Sequence, residues 1–166
     1  MSPKTPYPVV KLQRTIAAPP GEVYEAWLEP ELLQQWMAPG SFDARLAEVD
    51  ARVGGHLRIW HAQKGTDMGG FEAEILELVP GERLVFRWGF VGPLRAAGPV
   101  YDSLLTIMLE KAPGEATFLT LLHERLDDLA AAMPEGAANV ERGWSMVLDK
   151  LAHILSAGRL PTDTLV

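Results

Sequence analysis

The spacing of apolar residues changes period three times along the chain. Val10, Leu12, Arg14 and Ile16 recur at every second position and predict a first strand over Val9 to Ile16. Ala18-Pro19-Pro20-Gly21-Glu22 then opens a short helix, because proline suits the first helical turn, where its missing N–H costs nothing. Val23, Tyr24, Ala26, Trp27 and Leu28 give that helix an apolar side. Glu29-Pro30-Glu31 starts a second short helix carrying Leu32, Leu33 and Trp36, which Met37-Ala38-Pro39-Gly40 ends.

From Phe42 to Glu124 the period is two, cut by turns. Phe42, Ala44 and Leu46 alternate in one phase and Ala47, Val49, Ala51 and Val53 in the other. That slip predicts a β-bulge near Leu46-Ala47. Gly54-Gly55 reads as a two-residue hairpin turn, Lys64-Gly65-Thr66-Asp67 as a second turn, and Pro80-Gly81 and Pro113-Gly114 as two more. Between them lie the faces Leu57, Ile59, His61; Phe71, Ala73, Ile75; Leu84, Phe86, Trp88; Leu105, Ile107, Leu109; and Leu119, Leu121, His123. A second phase break over Ile75-Leu76-Glu77-Leu78 leaves the face of Glu77 open, and Gly89 to Pro99, rich in glycine and proline, reads as a loop.

Asp127 to Ala138 reads as a broken helix or a lid. Asn139 then caps a long helix to about Ala157, with Val140, Trp144, Val147, Leu148, Leu151, Ile154 and Leu155 on one stripe. Gly158 and Pro161 stop it. A single apolar helical stripe has to bury itself on the sheet. The expected architecture is therefore α+β: a curved antiparallel sheet of about six to seven strands around a long C-terminal helix, with two short helices after the first strand. One domain over 9–157 is expected, with 1–8 and 158–166 as flexible tails.

The 166 residues suit one domain, with 48% hydrophobic residues and a net charge of −7 from 15 Lys plus Arg against 22 Asp plus Glu. An acidic chain without a basic run is a poor partner for nucleic acid or an anionic membrane. No apolar stretch approaches the ~20 residues of a membrane span, and the N-terminus carries no signal-peptide core, so the expected location is cytoplasmic. Without cysteine there is no disulfide, thiolate nucleophile or cysteine zinc site. The four histidines lack metal-ligand spacing and the serines lack a G-x-S-x-G context, so no cofactor and no metal is expected.

The ordered motifs Arg14-Thr15-Ile16-Ala17-Ala18-Pro19, Val23-Tyr24-Glu25-Ala26-Trp27, Asp50-Ala51-Arg52-Val53-Gly54-Gly55, Leu76 to Trp88, Thr117 to Glu124 and Gly143-Trp144 resemble the START-like, helix-grip superfamily (SRPBCC). Within it the chain is similar to the branch named for the activator of the heat-shock-protein-90 ATPase, C-terminal domain, over about Val10 to Leu155. The resemblance implies a hydrophobic cavity between long helix and sheet and no single reaction.

Trp36, Phe71, Phe86, Trp88 and Trp144 are the main candidates for that cavity, with Ile59, Val147 and Leu148 beside them; a plain aromatic core is the alternative. Gly143 either brings the helix close to a neighbour or leaves room beside it. His61 and His123 fall in phase with apolar faces, as polar ligand anchors or a general acid/base, or as satisfied core or rim histidines, the last favoured. His56 and His153 lie off the stripes and are expected to be solvated. Asp50 and Arg52 are expected to brace a hairpin. The expected function is binding of a small hydrophobic or aromatic molecule. A polyketide cyclase or dehydratase and a chaperone-binding module are the alternatives. Gly89 to Pro99 and Asp127 to Ala138 are expected to form the cavity mouth. Leu104, Met108, Phe118 and Leu122 make the last strands apolar on their second face too, which predicts a homodimer there, with the N-terminal arm carrying Tyr7 or the Gly89–Pro99 loop as the alternative coverings.

Overall fold

The computed structural model describes residues 8–38, 43–91, 100–132, 134 and 138–157. Strands β1 (Val10–Ile16), β2 (Asp43–Val49), β3 (His56–Gln63), β4 (Thr66–Val79), β5 (Arg83–Val91), β6 (Val100–Ala112) and β7 (Ala116–Glu124) form one antiparallel sheet in the order β1-β7-β6-β5-β4-β3-β2. Helices α1 (Pro20–Ala26) and α2 (Pro30–Trp36) follow β1, each with proline in its first turn. Helix α3 (Asp127–Ala132) precedes the long α4 (Val140–Ala157). Each β2-to-β7 neighbour is next in sequence, and β1 closes onto β7, as short connections and antiparallel pairing dictate.

The sheet curls because its ladders slip. Register shifts fall between Ala44 and Leu46, His61 and Ala62, Ile75 and Glu77, and Trp88 and Phe90. Every pairing from β2 to β6 thus carries a bulge, and bulges bend and twist their strands. The concave face holds the core: Leu57, Ile59, Ile75, Leu84, Phe86, Leu105, Ile107, Leu119 and Leu121 are sealed from solvent, with Trp27 and Trp36 from the short helices. Onto this face α4 lays Trp144, Val147, Leu148 and Leu151, all buried. Arg14 of β1 ties the helix from the other side, its Nε 3.1 Å from Asp149 and its Nη2 donating to Ser145 Oγ at 2.7 Å.

Several sequence expectations shift. Gly54-Gly55 is not a two-residue hairpin: β2 ends at Val49, β3 begins at His56, and residues 50–55 form the loop. Gly54 N–H donates to the Ile75 carbonyl and Ile75 N–H to the Gly55 carbonyl, so the loop docks onto the β4 bulge. A Cβ on Gly55 would stand 2.1 Å from the Asp50 carbonyl oxygen, so only glycine fits. The Arg52–Asp50 pair, at 2.8 Å, braces this loop rather than a strand. The turn at Lys64-Gly65 is tighter than expected, both residues having positive φ, so β4 begins at Thr66 rather than at Phe71. Gly89 to Val91 continue β5 instead of opening a loop; 92–99 lie outside the described residues, as do Tyr7 of the N-terminal arm and the helix stops Gly158 and Pro161. Glu77 is solvated and pairs with Arg83. His153 is exposed, while His56 is half-buried.

The outer face divides in two. Over β2 to β5 it carries the charged residues Glu48, Arg58, Glu72, Glu74 and Arg87, which pair across strands. Over β6 and β7 it carries Leu104, Met108, Phe118 and Leu122, each half-buried, with Thr106 and Thr120 between them.

Candidate functional site

The strand register brings together a chain of hydrogen bonds that the sequence does not reveal. Ser103 faces Trp88 across β5 and β6, and His123 faces Leu105 across β6 and β7, so Ser103 and His123 stand side by side on the concave face. Trp144 Nε1–H donates to His123 Nδ1 at 2.9 Å. An indole can only donate, so Nδ1 accepts and the ring proton sits on Nε2. Nε2 then donates to Ser103 Oγ at 2.6 Å, and the Ser103 hydroxyl donates to the Trp88 carbonyl at 2.9 Å. Each group uses its proton once and points it the same way.

This arrangement settles what His123 can do. It is fully buried, and burial pushes its imidazole down to about 3, so it is neutral. Both nitrogens are engaged, and the proton on Nε2 prevents it from activating Ser103 as a nucleophile. The expectation of a satisfied core histidine fits. Its role is to hold the Trp144 indole in one orientation. His61, also buried, lies 2.8 Å through Nε2 from the Met37 carbonyl and edge-on to Phe71, at 5.1 Å between centroids.

Beside Trp144 the core is incomplete. A hollow of about 170 Å³ is lined by Met37, Phe71, Trp88, Phe90, Asn139, Val140, Gly143, Trp144 and Val147. The Phe71 and Trp144 rings lie nearly parallel at 6.4 Å, and Trp88 leans on both, at 5.2 and 5.4 Å. Asn139, one of the lining residues, is exposed at the start of α4. A Cβ added to Gly143 would meet no heavy atom within 4 Å, so this glycine leaves room rather than a close helix approach.

Of the ten residues expected around a cavity, Phe71, Trp88, Trp144 and Val147 line this hollow. Trp36, Ile59, Phe86 and Leu148 are fully buried in the surrounding core, while His61 and His123 support the lining through Met37 and Trp144. Sequence reasoning missed Met37, Phe90, Asn139 and Val140 as lining, and Ser103 and Trp27 as support. Ser103 had a signal, being in phase with Leu105, Ile107 and Leu109. Trp27, 4.7 Å from Trp36 and 6.1 Å from Trp144, was visible only as one face of a short helix. Phe90 had one too, continuing the alternation of Leu84, Phe86 and Trp88 into a stretch that reads as a loop, whereas Met37, following a helix end, had none.

Of the segments expected at the mouth, 92–99, 133 and 135–137 fall outside the described residues, and α3 is anchored by Leu129, packed with Leu126 and Val10. Among the described residues no three His, Asp or Glu side chains are grouped to hold a metal, and no helix is long and apolar enough to cross a membrane.

The family model described as Activator of Hsp90 ATPase homolog 1-like protein matches residues 17–156. Among solved structures, protein CV1439 from Chromobacterium violaceum is 33% identical, with a TM-score of 0.71 over 89% of this chain and 96% of that one. Protein Ms6760 from Mycobacterium smegmatis, 20% identical, has a TM-score of 0.74 over 91% and 92%, a likeness of fold. DynU16, a protein of the dynemicin biosynthetic locus, is 25% identical with a TM-score of 0.65 over 92% of this chain and 49% of that one. A comparison with curated proteins finds no match.

Proposed function

The chain belongs to the Activator of Hsp90 ATPase homolog 1-like family, with its helix-grip fold, and from that premise we propose that it binds a small, mainly apolar aromatic molecule between the sheet and α4. The observation that carries this reading is the hollow itself, an aromatic-walled space left open where α4 crosses the sheet. Protein interiors otherwise pack to near-crystalline density with few voids larger than a water molecule. Apolar cavities of about 150 Å³ take up one benzene-sized guest, so 170 Å³ suits a single ring.

Binding is favoured over turnover because, among the described residues, no titratable side chain lines the hollow. A cyclase or dehydratase would need a general acid or base within hydrogen-bonding reach of its substrate. A chaperone-related role, which the family's name carries, would instead appear as a complex with a chaperone ATPase in the absence of any small molecule.

Gly143→Leu tests the binding reading without disturbing the fold. The new side chain enters the hollow, and replacing glycine inside a helix gains roughly 0.5–1 kcal/mol. The variant is expected to melt about 2–4 °C higher and to lose at least tenfold in affinity for toluene, followed by calorimetry and tryptophan emission. Undiminished toluene binding in a folded variant, or no binding by the parent protein, contradicts the reading.

A second proposal rests on the outer face. We propose that the apolar half over β6 and β7 pairs two copies of the chain through Leu104, Met108, Phe118 and Leu122, with the charged half left to solvent. Sedimentation at micromolar concentration is expected to give a dimer that Phe118→Asp with Leu122→Asp converts to monomer. A monomeric parent protein ends this proposal.

A further inference from the structure

The wall that α4 gives the hollow is buried unevenly. Asn139 is exposed, Val140 and Gly143 are half-buried, Trp144 is 5% exposed and Val147 3%. Exposure thus falls steadily over eight residues, about 12 Å of helix at 1.5 Å per residue. The Val147 end is also pinned shut. Lys150, one turn further along α4, donates through Nζ to the Ala38 carbonyl. That contact places the neighbouring Met37, another lining residue and 0% exposed, at the same end. His61 Nε2, 2.8 Å from the Met37 carbonyl, holds the segment from the sheet side.

We infer that the ligand is a single aromatic ring on a polar tail, such as the benzyl group of a larger molecule. The ring enters first, and the tail leaves the hollow past Asn139. This inference rests on the binding reading and adds the ligand's orientation and its second half. A space of about 170 Å³ is filled by one ring, so anything longer has to emerge. A polar group carried at the Met37 end would be buried there, where the Met37 and Ala38 carbonyls already serve His61 and Lys150. Such a group loses its hydration without replacement. At the Asn139 end a polar group keeps its water, and the Asn139 amide offers it both a donor and an acceptor. The ligand is therefore polar on one side only.

Three compounds test this in the parent protein by calorimetry: toluene, the benzyl ether of tetraethylene glycol, and a ring carrying that same tail at both para positions. The one-tailed compound is expected to bind within about threefold of toluene, because its tail stays in water. The two-tailed compound is expected to bind about tenfold more weakly or worse, as burying unpaired oxygens at the Met37 end implies. A one-tailed compound far weaker than toluene would show a hollow that shuts around its ligand. Equal Kd values for the one- and two-tailed compounds would show openings at both ends. Either result overturns the inference while leaving the hollow a binding site. Failure of both toluene and the one-tailed compound to bind overturns the binding reading itself.

A single thiol locates the exit. The chain has no cysteine, so Asn139→Cys and Met146→Cys each carry one, the second at an exposed position of α4 outside the hollow's lining. At saturation the one-tailed compound is expected to slow alkylation by iodoacetamide at position 139 about fivefold, since the reaction follows access to the thiol. Toluene, held deeper, is expected to change that rate by less than about twofold, and neither compound to change the rate at position 146. Equal protection by the two compounds, an unprotected thiol at 139, or protection at 146 overturns the inference. Should Asn139→Cys not fold, the three Kd values of the parent protein decide alone.

Discussion

Between pH 6.5 and about 3 the protein is expected to lose stability through His123 alone, at about 1.4 kcal/mol for each unit of pH. The cause is desolvation, since a protonated imidazole in this position would have no water around it. Above its ordinary value near 6.5 the histidine is neutral in both folded and unfolded chains and contributes no pH dependence. Below that value the unfolded chain takes up a proton that the folded protein refuses, so unfolding gains as pH falls, until the folded form titrates near 3. By pH 5 the loss amounts to about 2 kcal/mol, a sizeable part of a typical 5–15 kcal/mol. Urea midpoints from pH 7.5 to 4.5 measure it. His123→Gln, which can still accept from Trp144 and donate to Ser103, is expected to flatten the profile by that slope. Parallel profiles for the two proteins would mean that His123 is protonated in the folded state.

Trp144→Ala is expected to cost about 3–5 kcal/mol, the range for removing a large buried aromatic. The residue is 5% exposed and packs against Phe71, Trp88 and Trp27. Its loss also leaves His123 Nδ1 buried without its donor. Trp144→Phe separates the two effects, restoring most of the ring contacts but not the N–H. It is expected to fall between the parent and the alanine variant, with about 1–3 kcal/mol still missing. A loss below 1 kcal/mol for Trp144→Ala in chemical denaturation would show that the hydrogen-bonded chain and the ring cluster contribute little.

How far the sequence carried follows from the range of each interaction. Helix α4 was legible almost to the residue, because its stripe from Val140 to Leu155 is a local pattern. The strands were legible as faces, and the break at Ile75 to Leu78 marked a real bulge whose effect on Glu77 only the ladder could decide. The site was harder to read. Ser103 and His123 are 20 residues apart and meet because of where the β6–β7 hairpin turns, which alternation alone does not set. A hollow is more elusive still, being the volume that side chains from α2, β4, β5 and α4 fail to fill. Met37, at a helix end, follows no period that would announce it, and Phe90 continues the period of Leu84, Phe86 and Trp88 into a glycine- and proline-rich stretch that reads as a loop.

The tie between Arg14 and Asp149, 135 residues apart, bears on how the chain is made. The meander from β2 to β7 can form from neighbours, but its concave face stays uncovered until α4 has left the ribosome. At roughly 5–20 residues per second, the stretch from Glu124 to Ala157 leaves Phe86, Trp88 and their neighbours bare for a few seconds. Transiently exposed apolar surface of this kind is what chaperones bind and what aggregation starts from. The last helix is thus both the wall of the hollow and the step that ends the nascent chain's most vulnerable interval.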